Sequence, residues 1–204
     1  FIKISPMNLI IDIGNTRVKA AVFEGDTLEC LVVFDKKKII SEVKKMIKKN
    51  TISKGIISSV ASITPKKLLK LQSLMPFLVV SSSIKLPFKN LYKTPKTLGV
   101  DRIGLVVSAV KKYRNSNVLV IDAGTCITYD FVNEKSEYLG GAISPGIKMR
   151  FQSLHEFTSK LPLLEKTTLH YFTGKNTNES INSGVVNGVI KEVEGIILDY
   201  KEKY

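Results

Sequence analysis

The chain has 204 residues, 44% of them hydrophobic, with a formal net charge of +13; this suffices for one large cored domain or two small ones. No apolar run is long enough to span a bilayer, and the start is too short, and too quickly followed by a strand pattern, for a secretory signal. The two cysteines, Cys30 and Cys126, make no disulfide framework, which excludes a stapled secreted scaffold and points to a reduced, cytoplasmic protein.

In chain order, Met7 reads as a natural first residue, with "FIKISP" (residues 1–6) as an added stretch. Strands are predicted at Leu9–Gly14, Val18–Phe23 and Leu28–Phe34, with "EGD" as a turn. A helix follows near Ile39–Lys49, with Ile40, Val43 and Ile47 on one face and lysines on the other. Next come a strand at Gly55–Val60, a helix in "SITPKKLLKLQSLM" capped by Ser62 or Thr64 with Pro65 in its first turn, and a strand at Phe77–Ser81. "LPFKNLYKTPKTLGVDR" reads as a Pro- and Lys-rich connection into a helix at Ile103–Tyr113. The second half starts again: Val118–Gly124 is a strand, "CITYDFV" a second and "YLGGAISPG" a third, followed by a helix in "IKMRFQSLHEFTSKL" and a largely helical tail from Ser180.

Both halves thus open with three strands, the first ending on Asp-x-Gly. This is the mark of an internally duplicated α/β unit, read here as residues 7–98 and 99–204. The second copy lacks the strand expected after its last helix and reads as incomplete at its C-terminal end.

The lysines of "KKK", "KKMIKK" and "KKYR" read most simply as solvated helix faces. The sharper alternative is a nucleic-acid footprint, but no aromatic residues interleave with them and no zinc-finger or helix-turn-helix spacing is visible. The same charge attracts anionic small molecules.

The chemistry concentrates at the strand ends. In "DIGNTRVK", Asp12 ends an apolar strand, where a charge is costly unless it is paired, hydrogen-bonded or holding a cation. Gly14 permits close approach of a ligand, Asn15 and Thr16 can donate to phosphate oxygens, and Asp12 can hold magnesium directly or through water. Lys19 can neutralise charge on a transferred phosphoryl group. Alone, the motif is equally a hairpin with a polar tip. A second copy, "DAGT" (Asp122–Thr125), makes a phosphate clamp of two hairpins facing across a cleft the better reading, although neither is a P-loop. "GVDR" (Gly99–Arg102) opens a helix; Asp101 is either an ordinary acidic helix start or a general base beside a carboxylate-binding guanidinium. "GGAISPG" (Gly140–Gly146) is too rich in glycine for an ordinary strand and suggests close backbone approach, or else a strand-to-helix loop. His155 and His170 lack metal-ligand spacing, and the cysteines read as inert.

Taken in order, Asp-x-Gly-Asn-Thr-x-x-x-Lys, Gly-x-Asp-Arg, Asp-x-Gly-Thr and Gly-Gly-x-Ile-x-Pro-Gly, with "GKNTNESINSG" (Gly174–Gly184), resemble a type III pantothenate kinase over Met7–Tyr204. That family lies in the superfamily of acetate and sugar kinases, heat-shock chaperones and actin. The resemblance implies duplicated ribonuclease-H-like units with mixed sheets flanked by helices. It implies ATP-dependent phosphorylation of pantothenate to 4'-phosphopantothenate, the first step toward coenzyme A. Asp12, Ile13, Gly14, Asn15, Thr16, Arg17, Val18 and Lys19 would bind the ATP phosphates and magnesium, with Thr125 contacting ATP from the second hairpin. Asp122 would coordinate a monovalent cation, potassium or ammonium. Tyr92, Gly99, Val100, Asp101 and Arg102 would bind pantothenate, with Arg102 on its carboxylate and Asp101 deprotonating the attacking hydroxyl. Thr177 would reach pantothenate in the other subunit of a homodimer with shared sites.

Two other readings stay open. A Baf-type transcriptional activator, binding nucleic acid on the same fold, is kept alive by the charge and opposed by the intact Asp12, Lys19, Asp101 and Arg102. A sugar or acetate kinase explains both hairpins but not "GVDR" with "GGAISPG".

Overall fold

The structure, a computed structural model, describes residues 7–59, 63–81 and 83–204. Strands β1 (Met7–Ile13), β2 (Val18–Glu24), β3 (Thr27–Phe34), β4 (Ile52–Ser59) and β5 (Phe77–Val79) form one mixed sheet in the order β3-β2-β1-β4-β5. The first three make an antiparallel meander, while β4 runs parallel to β1 and β5 parallel to β4. Alternation sets its faces: Leu9, Ile11 and Ile13 of β1, Val18, Ala20 and Val22 of β2 and Ile57 of β4 are buried in one core. Helices α1 (Ile39–Lys49) and α2 (Pro65–Gln72) supply Ile39, Val43, Met46 and Leu71 to that core. The buried row of α1 is therefore Ile39–Val43–Met46, with the expected Ile40 and Ile47 partly buried beside it; the apolar stripe is wide, and the sheet takes the neighbouring row. Thr64 caps α2, accepting from the Lys67 N–H at 3.4 Å, with Pro65 in the first turn. The other cap candidate, Ser62, the strand end at Val60 and the stretch 1–6 lie outside the described residues.

The second sheet has the order β6-β9-β8-β7, from β6 (Lys89–Asn90), β7 (Val118–Ala123), β8 (Cys126–Val132) and β9 (Glu137–Pro145). Here β7, β8 and β9 repeat the antiparallel meander, and the glycine-rich "GGAISP" belongs to β9, just after a register shift between Tyr138 and Gly140 and with Gly140 at positive φ. Ile127 and Tyr129 pack with Leu119, Ile121 and the long helix α5 (Thr177–Lys203) through Val189, Val193 and Ile196. Helix α4 (Ile147–Glu156) joins α5 in a further cluster around Phe151, Ile181 and Val185. α4 stops short of the predicted Leu161 because the Thr158 hydroxyl turns back onto the Leu154 carbonyl at 2.6 Å, with Pro162 close behind. Helix α3 (Val100–Lys112) starts three residues before the expected Ile103, which puts Asp101 and Arg102 in its first turn. The predicted strand to Ser81 ends at Val79, and β6 went unpredicted inside the connection.

By contacts the chain divides into the residues up to Leu86 with Lys93–Leu105, and Pro87–Tyr92 with Val106–Tyr204. Among the described residues no helix is long and apolar enough to cross a membrane.

Ile11 sits fully buried in the central strand of the first sheet. Ile11→Ala is expected to lower unfolding free energy by about 2–5 kcal/mol, measured by urea denaturation, with far-UV circular dichroism of the native state unchanged.

Candidate active site

The first motif is built on the β1–β2 hairpin. The Gly14 N–H donates to the Arg17 carbonyl at 3.1 Å, closing the turn and leaving Asn15, Thr16 and Arg17 exposed. Ile13 and Val18, at 3% and 0% exposure, are anchors of the hairpin in the core, so they can face a ligand only with their backbone. Asp12 lies on the opposite sheet face and is paired in register with Lys19 on one side and Ser58 on the other. The buried Ser58 hydroxyl has no hydrogen-bond partner. A carboxylate, an ammonium and an orphaned hydroxyl thus stand side by side at the end of three adjacent strands.

The second hairpin repeats the arrangement. Its turn is closed by the Gly124 N–H to the Cys126 carbonyl at 2.9 Å, with Asp122 and Thr125 exposed. Asp122 is paired with Thr128, whose hydroxyl is again buried without a hydrogen-bond partner. A buried hydroxyl left unmatched beside a carboxylate suits an oxygen-coordinated cation or its water shell. Among the described residues no three His, Cys, Asp or Glu side chains gather into a metal cage. Magnesium in phosphoryl transfer needs only one or two carboxylates, the rest of its shell being phosphate and water.

The Gly140–Gly146 segment docks on this hairpin. The Gly146 N–H donates to the Thr125 carbonyl at 3.1 Å, and a Cβ at Gly146 would collide with the carbonyl oxygens of Gly124 and Thr125. Glycine here is a requirement of close approach. "DAGT" and "GGAISPG", separate in sequence, are therefore one structural feature.

At the start of α3, Asp101 Oδ1 accepts from the Arg102 N–H at 2.8 Å, and the Ile103 N–H closes the turn on the Gly99 carbonyl at 3.1 Å. A side chain at Gly99 would run into the Asp101 carboxylate. Asp101 is half-buried, and Arg102 is only 5% exposed. Tyr92 follows β6, with its ring against Tyr138. Thr177 is the first residue of α5, after the cap Asn176, which accepts from the Glu179 N–H at 2.9 Å; Glu179 in turn accepts from the Lys175 N–H at 2.7 Å. The "NTNE" stretch is therefore a reciprocal helix cap that leaves Thr177 exposed, at the rim of an open groove of about 660 Å³ lined by Arg150, Leu154, Thr177 and Ile181. Asp12, Lys19, Asp101 and Arg102 belong to one unit, and Tyr92, Asp122, Thr125 and Thr177 to the other. His155 spends Nδ1 on the Leu161 carbonyl at 2.7 Å.

The sequence pattern of the type III pantothenate kinases matches residues 8–199. The chain belongs to that family. It is 47% identical to the type III pantothenate kinase of Christiangramia forsetii and 42% identical to that of Flavobacterium johnsoniae, in both cases over 97% of this chain and 82% of the relative. Among solved structures it resembles a Campylobacter jejuni protein described as a Baf family transcriptional activator, with a TM-score of 0.59 and 22% identity over 92% of this chain and 78% of that one; this shows a shared fold.

Sequence patterns missed the clamp behind the second hairpin of this pantothenate kinase family member. Arg150 of α4 donates through Nε to the Pro145 carbonyl at 2.9 Å and through its terminal nitrogen to the Ser144 hydroxyl at 2.8 Å, and it pairs with Glu192 of α5. The fully buried Tyr129 donates its hydroxyl to Glu192 at 2.9 Å. Burial works against the Glu192 charge, but hydrogen bonds from Arg150, Ser144 and Tyr129 outweigh it, and its pKa falls below the ordinary value. Burial, then the Glu192 carboxylate, push Tyr129 up to about 12. Both partners lie in helices of ordinary pattern, at a 42-residue separation. Signals of that range are invisible to motifs.

Because the Glu192 pKa is depressed on folding, its stabilisation is complete above the unfolded value near 4.5 and disappears as pH falls through the folded value. Thermal melts at descending pH are expected to show a shallower loss of Tm in Glu192→Gln than in the parent, with the variant already less stable at neutral pH.

Proposed function

We propose that this protein transfers the γ-phosphoryl group of ATP to the primary hydroxyl of pantothenate, yielding 4'-phosphopantothenate and ADP at the entry to coenzyme A formation. The family match over residues 8–199 carries this reading. The β1–β2 turn, with Gly14, Asn15, Thr16 and Arg17, cradles the ATP phosphates, Ile13 and Val18 contributing backbone alone. Lys19 meets the charge that builds on the moving phosphoryl group, and Thr125 contacts ATP from the second hairpin.

Asp12, with Ser58 beside it, would hold magnesium directly or through water, and Asp122, with Thr128, a potassium or ammonium ion. When bound, such ions neutralise phosphate charge. Arg102 pairs with the pantothenate carboxylate, and Gly99, Val100 and Tyr92 complete its seat. Asp101 accepts the hydroxyl proton as the new phosphorus–oxygen bond forms and the bond to ADP breaks. The Baf-type regulator reading has only the shared fold and the positive charge behind it.

A coupled assay of ADP release by the full-length protein, with and without pantothenate, tests the reading. ADP release must depend on pantothenate; salt-dependent DNA binding without turnover would replace it with the regulator. Asp101→Asn keeps shape and helix start but removes basicity, so turnover at saturating substrates should fall by about 10²–10⁴-fold while ATP binding persists. Turnover within about threefold of the parent would reduce Asp101 to a helix-start residue.

The active unit is a homodimer in which Thr177 acts on the site of the other subunit. Mixing inactive Asp101→Asn with an inactive Thr177→Ala protein should restore one intact composite site per mixed dimer. Subunit exchange proven by mass spectrometry, with no recovered activity, would defeat this arrangement.

A further inference from the structure

Tyr92 lies in neither helix nor strand, yet the structure leaves its ring little freedom. A loop aromatic can serve recognition only if something else sets its rotamer. The two-residue strand β6 lays the segment against β9: the Lys89 N–H donates to the Ser136 carbonyl at 2.9 Å, and the Leu91 N–H to the Tyr138 carbonyl at 3.0 Å. Lys89 also pairs with Glu137 at 2.9 Å, and the Tyr92 N–H closes on Asn90 Oδ1 at 3.0 Å. The backbone is thus delivered to one place.

The ring is then set by its neighbours. Tyr92 stacks on Tyr138 with centroids 6.0 Å apart and planes 30° apart. Gly140 also lies against the ring: a Cβ there would meet it at 3.5 Å. That is an ordinary contact, so space is not what excludes a side chain there. The backbone is: Gly140 has φ +115°, outside the range of L residues. Tyr138 is itself immobilised. It is fully buried, Phe88 meets it edge-on at 6.0 Å, and its hydroxyl donates to Asp130 Oδ1 at 2.7 Å. Asp130 is fully buried on β8 and held by the sheet, so the Tyr138 hydroxyl is bonded to a fixed partner.

We propose that Tyr138, pinned at its hydroxyl by Asp130, is a positioning residue that fixes the Tyr92 ring for the pantothenate chain. This rests on the reading of Tyr92 as a pantothenate contact. Neither Tyr138 nor Asp130 touches substrate; both act through Tyr92. The stack makes discrimination at the acceptor site a property of the second sheet, because β6, β8 and β9 together decide where the ring lies.

The test compares Tyr92→Ala, Tyr138→Leu, Tyr138→Phe and the double variant Tyr92→Ala/Tyr138→Leu in the full-length enzyme. It reads kcat, KM for ATP, KM for pantothenate and pantothenate affinity by calorimetry, with thermal melts to establish folding. Tyr138→Leu is expected to raise KM for pantothenate by about two- to tenfold, the range an aromatic pair is worth, with KM for ATP unchanged. Tyr138→Phe keeps the platform but loses the pin, and should fall between Tyr138→Leu and the parent. In the double variant pantothenate affinity should equal that of Tyr92→Ala alone, a non-additivity that general destabilisation does not produce. If Tyr138→Leu does not fold, Tyr138→Phe combined with Tyr92→Ala carries the same comparison. Additive losses, or a folded Tyr138→Leu with parental pantothenate affinity, overturn the proposal while leaving Tyr92 in its role. An enzyme that phosphorylates pantothenate with parental affinity after Tyr92→Ala overturns both the Tyr92 assignment and the proposal built on it.

Discussion

Burial along β1 alternates with a period of two residues. Leu9, Ile11 and Ile13 must all reach the core beneath α1 and α2, so Asp12 can only emerge on the other face. A one-residue slip in register would bury the carboxylate and expose the isoleucines, an outcome the core forbids. Hydrophobic burial, acting on one face, thereby aims a charge on the other. The same pairing sets Lys19 and Ser58 on either side of it. The β7–β8 pair applies the rule again, with Ile127 and Tyr129 turned toward α5 and Asp122 set beside Thr128 on the opposite face.

What distinguishes the second hairpin is its support. The first is held by its own turn and by the buried Ile13 and Val18. The second also has Gly146 pressed against its carbonyls, and behind Gly146 the Arg150–Glu192–Tyr129 clamp joins α4, α5 and β8. A partly buried ion pair of this kind contributes little net stability as a pair, because desolvation offsets attraction, but removing one partner leaves a costly unmatched charge. Its value lies in geometry: the planar guanidinium spans the Pro145 carbonyl, the Ser144 hydroxyl and Glu192, and lysine could not span all three.

The positive charge takes a modest place beside these contacts. Lys44, Lys45, Lys48 and Lys49 of α1 and Lys66, Lys67 and Lys70 of α2 are exposed, on the faces that the core leaves outward. Lys45 pairs with Glu42 at 2.8 Å, and an exposed pair of that kind is worth a fraction of a kcal/mol, about 0.2–1. Their summed field favours anionic substrates of any kind, so it adds to encounter and says nothing of selectivity. Groups in fixed directions are of another kind: the Asp101 carboxylate is held by the Arg102 N–H and the Tyr92 ring by Tyr138.

Local order in the chain was enough to reveal what local energy controls. Short apolar runs marked β1, β2, β7 and β8, the capping chemistry of Thr64 and Pro65 marked α2, and the repeated Asp-x-Gly marked both hairpins and the duplication. These features arise from interactions among near neighbours, which leave a periodic trace. Other features came from residues brought together over long separations. A two-residue strand such as β6 has no period to read; it exists because β9 offers it an edge. The Arg150–Glu192 clamp, the Tyr138–Asp130 pin under Tyr92, the orphaned hydroxyls of Ser58 and Thr128 and the meeting of "DAGT" with "GGAISPG" likewise depend on strand register and helix packing. The order of residues fixes which of them carry charge and which strands end on one. What stands beside each charge is set by packing, because a side chain's neighbours are chosen by the burial of residues far from it in the chain.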